Sequence, residues 1–182
     1  MTASDFGVLR GLKVLDLTQA LAGPYATMLF ADHGASVIKI ESLKGDLTRG
    51  AGPFFDDDQT KTHGGYFQSL NRNKKSLAVD LKSEEGRNLF LDLVRNADVV
   101  VENFRHGVMD GLGLSYERLK ERNPKLVYAA LRGFGDSRTG ENDYTEWPAF
   151  DIIAQAMGGI MSITGSENGG PTKVGPGIGD IV

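Results

Sequence analysis

Cysteine is absent from the 182-residue chain, which excludes disulfides, thiolate metal sites and a cysteine nucleophile. Long apolar runs are absent too. None reaches the roughly 18 residues that a membrane-spanning helix needs, so no membrane partner is expected. The opening stretch MTASDFGVLRGLKVLDLT lacks the basic region, apolar run and small-residue cleavage site of a secretory signal. A cytoplasmic location is the expectation. A basic excess is missing as well: Lys plus Arg number 20 against 24 Asp plus Glu, and the net charge of −4 leaves no electrostatic footprint for nucleic acid.

Several catalytic signatures are also missing. A nicotinamide-binding unit needs G-x-G-x-x-G directly after its first strand. Here the first strand runs into TQALAGP, with one glycine, and the later GPGIGD has the wrong spacing and comes too late. The chain holds no Walker A sequence, no H-E-x-x-H and no G-x-S-x-G elbow. His33, His63 and His106 are far apart in sequence and read as surface or loop histidines. The run Asp56-Asp57-Asp58 reads as a solvated loop tip, because three consecutive aspartates converge on one ion only through a special turn.

What is present is an alternation of short apolar runs and helix-like stretches. Strand-like runs fall at residues 13–18, 37–41, 76–81, 98–104 and 126–131. Between them, Pro24 suits the first turn of a helix over 25–33 that Gly34 ends. Ser83 is a fitting N-cap for a helix through Arg95, with Glu84 and Glu85 at its positive end and an apolar stripe of Leu89, Phe90, Leu93 and Val94. Ser115 caps a short helix over 116–122, and 150–161 is helical by pattern. Residues 45–65 read as a long surface loop, and 165–182 as a Gly- and Pro-rich end. Strands alternating with helices predict βαβ units: an α/β, Rossmann-like, mainly parallel sheet with flanking helices.

Four segments in order then carry a resemblance. They are GLKVLDLTQALAGPYATMLFADHGASVIKIE, NRNKKSLAVDLKSEEG, DVVVENFRHGVMDGLGLSYE and FDIIAQAMGGIMSITGSENGGPTKVGPGIGD. Together they run from Gly11 to Asp180 and resemble the N-terminal portion of family III CoA-transferases, the relatives of formyl-CoA transferase and carnitine CoA-transferase. The resemblance implies that residues 1–182 are the N-terminal part of a CoA-binding large domain. The smaller second domain and the C-terminal return segment of the family then lie outside this chain. It implies an interlocked homodimer, no tightly bound cofactor, and coenzyme A or acyl-CoA as substrate together with a carboxylic acid.

Site residues follow from the same resemblance. Asp180 matches the family's nucleophile, which attacks the activated thioester to give a mixed aspartyl anhydride and then an aspartyl-CoA thioester, a form of covalent catalysis. Taken without the resemblance, an aspartate between Gly179 and Ile181 reads as a helix cap or turn residue. The two roles are compatible, since helix N-terminal donors would keep the carboxylate ionised. CoA contacts are expected at the ends of the strands. They fall at Leu21 and Ala22, at Ser42, at Val79, Asp80, Leu81 and Lys82, at Asn103, Phe104 and Arg105, and at Phe150 and Asp151. Lys82 and Arg105 suit phosphate groups. Arg72, Lys74 and Lys75 form a further basic cluster, read either as a phosphate site or as an exposed strand entry. The chain departs from formyl-CoA transferase at Ser42 and Gly111, where that enzyme has arginines. A phosphate clamp is then lost, or Lys44 replaces it. The α-methylacyl-CoA racemases share the fold but use a histidine within G-H-D-I. The corresponding residue here is Phe150, which cannot accept a proton and is otherwise expected as a buried start to a helix. A CoA-binding chain without catalysis is the remaining alternative.

Overall fold

A computed structural model describes residues 7–140 and 142–182. The chain divides into two compact units, Met1–Leu131 and Arg132–Val182.

The first unit is built on five parallel strands in the order β3-β2-β1-β4-β5. They are β1 (Lys13–Asp16), β2 (Ser36–Glu41), β3 (Lys75–Ala78), β4 (Val99–Glu102) and β5 (Val127–Ala130). The α/β reading of the sequence holds, and the sheet is wholly parallel. The strands alternate sides with period two, so each supplies both faces. Val14, Val37, Val99 and Val101 join Ala31 and Ala35 in one buried layer. Leu15, Ile40 and Val100 join Phe90, Val94, Leu119 and Leu126 in the other. Burial on both faces explains the near-continuous apolar runs of the sequence.

Helices α1 (Ala22–Asp32), α2 (Gly65–Asn71), α3 (Glu84–Val94), α4 (Val108–Gly111) and α5 (Tyr116–Arg122) connect the strands. Two expected caps are present: the Ser83 hydroxyl accepts from the Gly86 N–H, and the Ser115 hydroxyl from the Arg118 N–H. Pro24 lies in the first turn of α1, and Gly34 beyond its end has φ 97°. Gly23 is required by close approach, because a Cβ there would meet the Thr18 side chain at 2.3 Å.

Three expectations are corrected. The buried stripe of α3 is Phe90, Leu91 and Val94, while Leu89 is exposed, because the helix turns residues 90, 91 and 94 onto one face. Residues 45–65 are not simply a surface loop. Leu47–Gly50 is a 3₁₀ turn whose Asp46 and Thr48 are buried, and Gly65 begins α2. Helix α2 has little signal in the sequence because it opens on two glycines, Gly64 at its cap and Gly65 in its first turn, has no side-chain cap and buries only Phe67, Leu70 and Asn71. Lys74 is neither an exposed strand entry nor a phosphate cation. Its side chain is buried, and Nζ reaches Asp16 Oδ2, the Pro24 carbonyl and Asn71 Oδ1, each at 2.9 Å.

Lys74 belongs to a buried polar network on the α1 side of the sheet. Asp16 ends β1, since its carboxylate accepts from both the N–H and the hydroxyl of Thr18, and also from the Thr27 hydroxyl at 2.7 Å. Its register partner on β2 is Lys39. Lys39 Nζ donates to the Thr18 carbonyl at 2.7 Å and pairs with Asp46 at 2.8 Å. At the end of β2, Glu41 takes Arg49 Nε and Nη2 at 2.7 and 2.6 Å, the Ser76 hydroxyl at 2.6 Å and the Asp46 N–H at 2.8 Å. Burial pushes the Glu41 carboxyl up, but these donors and the Arg49 charge outweigh it and hold it at about 2. Burial moves Lys74 the other way, down to about 8 against the pull of Asp16.

In the second unit, α6 (Asp151–Met157) ends at Gly158, and Gly159 has φ 80°. The expected helix over 150–161 is therefore shorter and is followed by a 3₁₀ turn, Ile160–Ser162. Phe150 precedes α6 as a 71% exposed residue, not a buried helix start. Helix α7 (Ile178–Ile181) lies in the glycine-rich end. Phe134, Tyr144 and Trp147 pack edge-on or tilted, with centroids 5.0–6.4 Å apart.

Two stability predictions follow. Replacing Asp16 by alanine strands the Lys74 ammonium in the interior and is expected to cost about 3–5 kcal/mol, read as a lower denaturant midpoint. The double variant Asp16→Ala/Lys74→Met should lose less than the two single losses combined. For Glu41 the folded pKa is depressed, so its contribution is complete above about 4.5 and is lost as pH falls toward about 2. Glu41→Gln should flatten that part of the stability–pH curve.

Candidate active site

Parallel strands bring their carboxyl ends to one edge, and the segments that follow them line it. In the first unit this edge gathers Leu21 and Ala22 after β1, Ser42 after β2, Val79 to Lys82 after β3, and Asn103 to Arg105 after β4. Strand order reverses between β1 and β4, which pair directly, and β2 and β3 lie beyond β1. Ten of the twelve residues expected to touch CoA therefore sit along one sheet edge.

These ten differ in what they offer. Ser42, Asp80, Lys82 and Arg105 are exposed. Leu21 and Ala22 are half-buried at the entry to α1. The Val79 side chain is in the core, and Leu81 and Phe104 pack against it, so these three offer mainly backbone. Asn103 uses its whole amide on the loop after β1: Oδ1 accepts from the Gln19 N–H and Nδ2 donates to the Gln19 carbonyl, both at 2.8 Å. This bridge joins the loops on either side of the switch point. Asp80 holds the turn after β3, with Oδ1 accepting from the Lys82 N–H at 2.9 Å. Ser42 and Lys44 form a small exposed turn, in which the Lys44 N–H donates to the Ser42 hydroxyl at 3.3 Å. Gly111 ends α4 with open space around it.

The second unit brings the other expected residues together. Asp180 lies in the first turn of α7, not at its N-cap, which is Gly177. Asp151 opens α6, and its Oδ1 accepts from the Gly179 N–H at 2.9 Å. The two acids thus meet across one backbone link, but in opposite states. Burial acts on Asp151 too, yet Gln155, Lys173 and the Gly179 N–H outweigh it and lower its pKa. Among the described residues no hydrogen bond or ion pair engages the Asp180 carboxylate. Burial and the neighbouring Asp151 charge raise its pKa. The expectation that helix donors keep Asp180 ionised is corrected: Asp151, not Asp180, takes the backbone donor.

Gln155 and Lys173 were not singled out in the sequence. A glutamine four residues after Asp151 on a helix was the available signal, since that spacing places both on one face.

Residues 9–182 match the family described as CoA-transferase family III. The chain belongs to that family. It is 57% identical over 175 residues to a succinyl-CoA:mesaconate CoA-transferase of Haloarcula hispanica, covering 96% of this chain and 44% of the relative. It is 45% identical over 172 residues to a formyl-CoA:oxalate CoA-transferase of Streptomyces coelicolor, covering 94% of this chain and 40% of the relative. The crystal structure of a CAIB/BAIF family protein from Brucella suis matches with a TM-score of 0.89 at 44% identity, over 97% of this chain and 46% of that one. The family III chain thus spans less than half the length of these relatives.

The opposite states of the two acids are measurable. With carbon-13-labelled aspartate, Asp180 is expected to titrate above, and Asp151 below, the ordinary value of 3.8. Asp151→Asn removes the neighbouring charge and should move Asp180 down.

Proposed function

We propose that this chain supplies the CoA-binding edge and the nucleophile of an enzyme that moves CoA from an acyl-CoA to a carboxylic acid, with Asp180 as the nucleophile. The observation that carries this reading is the contrast within the acid pair. Asp151 is saturated by donors, whereas Asp180 is half-buried, without a partner for its carboxylate among the described residues, and poorly stabilised as an anion. A carboxylate with no donors to leave behind is the better attacking group.

In the proposed sequence, an Asp180 oxygen attacks the thioester carbonyl. The C–S bond breaks, leaving a mixed anhydride and CoA thiolate. The thiolate attacks Asp180 Cγ, forms the aspartyl-CoA thioester and releases the donor acid. The acceptor carboxylate then attacks Cγ, re-forming an anhydride and thiolate. Attack of the thiolate on the acceptor's acyl carbon gives the new acyl-CoA and frees Asp180. No electrons are gained or lost, and each bond broken is replaced by one formed.

The names of the relatives support a small dicarboxylate as acceptor, with succinyl-CoA a fitting donor. Lys82 and Arg105, exposed on the sheet edge, are the cations proposed to meet CoA phosphates. The same reading takes the working protein to be an interlocked homodimer in the cytoplasm. Racemase chemistry is disfavoured because Phe150 stands where that mechanism needs a base.

The test is intact-mass analysis of the natural protein incubated with succinyl-CoA, trapped with hydroxylamine and mapped by peptide. A modification at Asp180 that disappears in Asp180→Asn is expected. No adduct, together with deuterium exchange at the α-carbon of a 2-methylacyl-CoA, would overturn the proposal in favour of racemase chemistry.

A further inference from the structure

Among the described residues of 132–182, the only buried residues are Asp136 and Gln155, both polar. Gln155 is 1% exposed, although the residues flanking it on α6, Ala154 and Ala156, are exposed. A buried amide is tolerated only when its donors and acceptor are used. Here Nε2 donates to Asp151 Oδ2 at 2.9 Å, to Asp151 Oδ1 at 3.1 Å and to the Pro176 carbonyl at 3.3 Å. Its Oε1 accepts from the Val174 N–H at 2.8 Å.

Val174 and Pro176 lie on the extended stretch that leads into α7. Lys173, at its start, closes the same circuit. Its Nζ pairs with Asp151 Oδ2 at 3.1 Å and donates to the Val174 and Gly175 carbonyls at 2.8 and 3.1 Å. Asp151 then holds the far end through the Gly179 N–H. The fit there is close. A Cβ on Gly179 would lie 2.8 Å from the Ala154 Cβ and 3.1 Å from the Asp151 carbonyl oxygen. Residues 173–179 are thus tied to one face of α6 at both ends and in the middle, and the next residue is Asp180.

We infer that Gln155 is a positioning residue for Asp180, acting with Lys173 and Asp151 as a clamp that fixes the 173–179 segment on α6. The inference rests on the proposal that Asp180 is the nucleophile. The clamp does two things for such a group. It fixes the backbone from which Asp180 projects, and attack on a thioester depends steeply on that placement. It also directs the Gln155 amide, the Lys173 ammonium and the Gly179 N–H to Asp151 and not to Asp180.

The test compares the natural protein with Gln155→Leu, measuring formation of the Asp180 adduct from succinyl-CoA and hydrogen exchange of the 173–180 peptide. Gln155→Leu should slow adduct formation by about 100-fold. KM for succinyl-CoA should change little, and exchange at Val174 and Gly179 should rise. Lys173→Met, at a side chain 37% exposed, tolerates substitution better and should shift the rate and the exchange in the same direction. An adduct forming at the natural rate in both variants would overturn the positioning role and leave the nucleophile standing. Absence of any adduct in the unsubstituted protein would overturn the nucleophile, and with it the catalytic part of this inference. The exchange data would still show whether Gln155 holds the segment.

Discussion

The first unit depends on four charges buried at the carboxyl ends of β1 and β2. Asp16 and Lys39 are opposite each other in register, yet each pairs elsewhere, Asp16 with Lys74 and Lys39 with Asp46. Together they draw in three connecting segments: the entry to β3 through Lys74, the loop after β2 through Asp46, and the turn after β1, which Asp16 and Lys39 both bind at Thr18. An unpaired charge inside a sheet would be intolerable, so the loops that form the edge must adopt the one arrangement that neutralises all four. The network therefore turns the cost of burying charge into a constraint on loop shape.

That constraint connects the core to the edge. Asp16 terminates β1 by binding the next turn, and the Asn103–Gln19 bridge then joins the loops after β1 and β4. Glu41 holds the loop after β2 through Arg49, whose guanidinium also lies 3.9 Å over the Phe67 ring. These segments are cross-linked by charge-assisted hydrogen bonds at Asp16 and Glu41 and by neutral amide bonds at Asn103. The exposed cations Lys82 and Arg105 lie on the segments that follow β3 and β4 at this edge.

The second unit uses the same logic on a smaller scale. A buried glutamine and an ionised Asp151 organise a glycine-rich segment that has little apolar surface of its own. Polar groups can do this because an unmet buried donor is costly, so the segment settles where every donor is met. The glycines allow the approach, as at Gly179, where any larger residue would be held off α6.

The sequence by itself determined the strand order along the chain, the caps at Ser83 and Ser115 and the absence of a dinucleotide loop, because these depend on local periodicity and short-range hydrogen bonds. Its four family segments also carry the resemblance from which the candidate site residues are proposed. The tertiary structure alone decided that Lys74 is an internal ion and not a phosphate ligand, since its partner Asp16 is 58 residues away. It decided that α2 is a helix, because packing of Phe67 and Leu70 replaces the missing cap. It also decided that, among the described residues, Asp151 takes the donors while the Asp180 carboxylate has none. Charge balance across distant segments sets these outcomes, and a pattern read along one chain contains no distances.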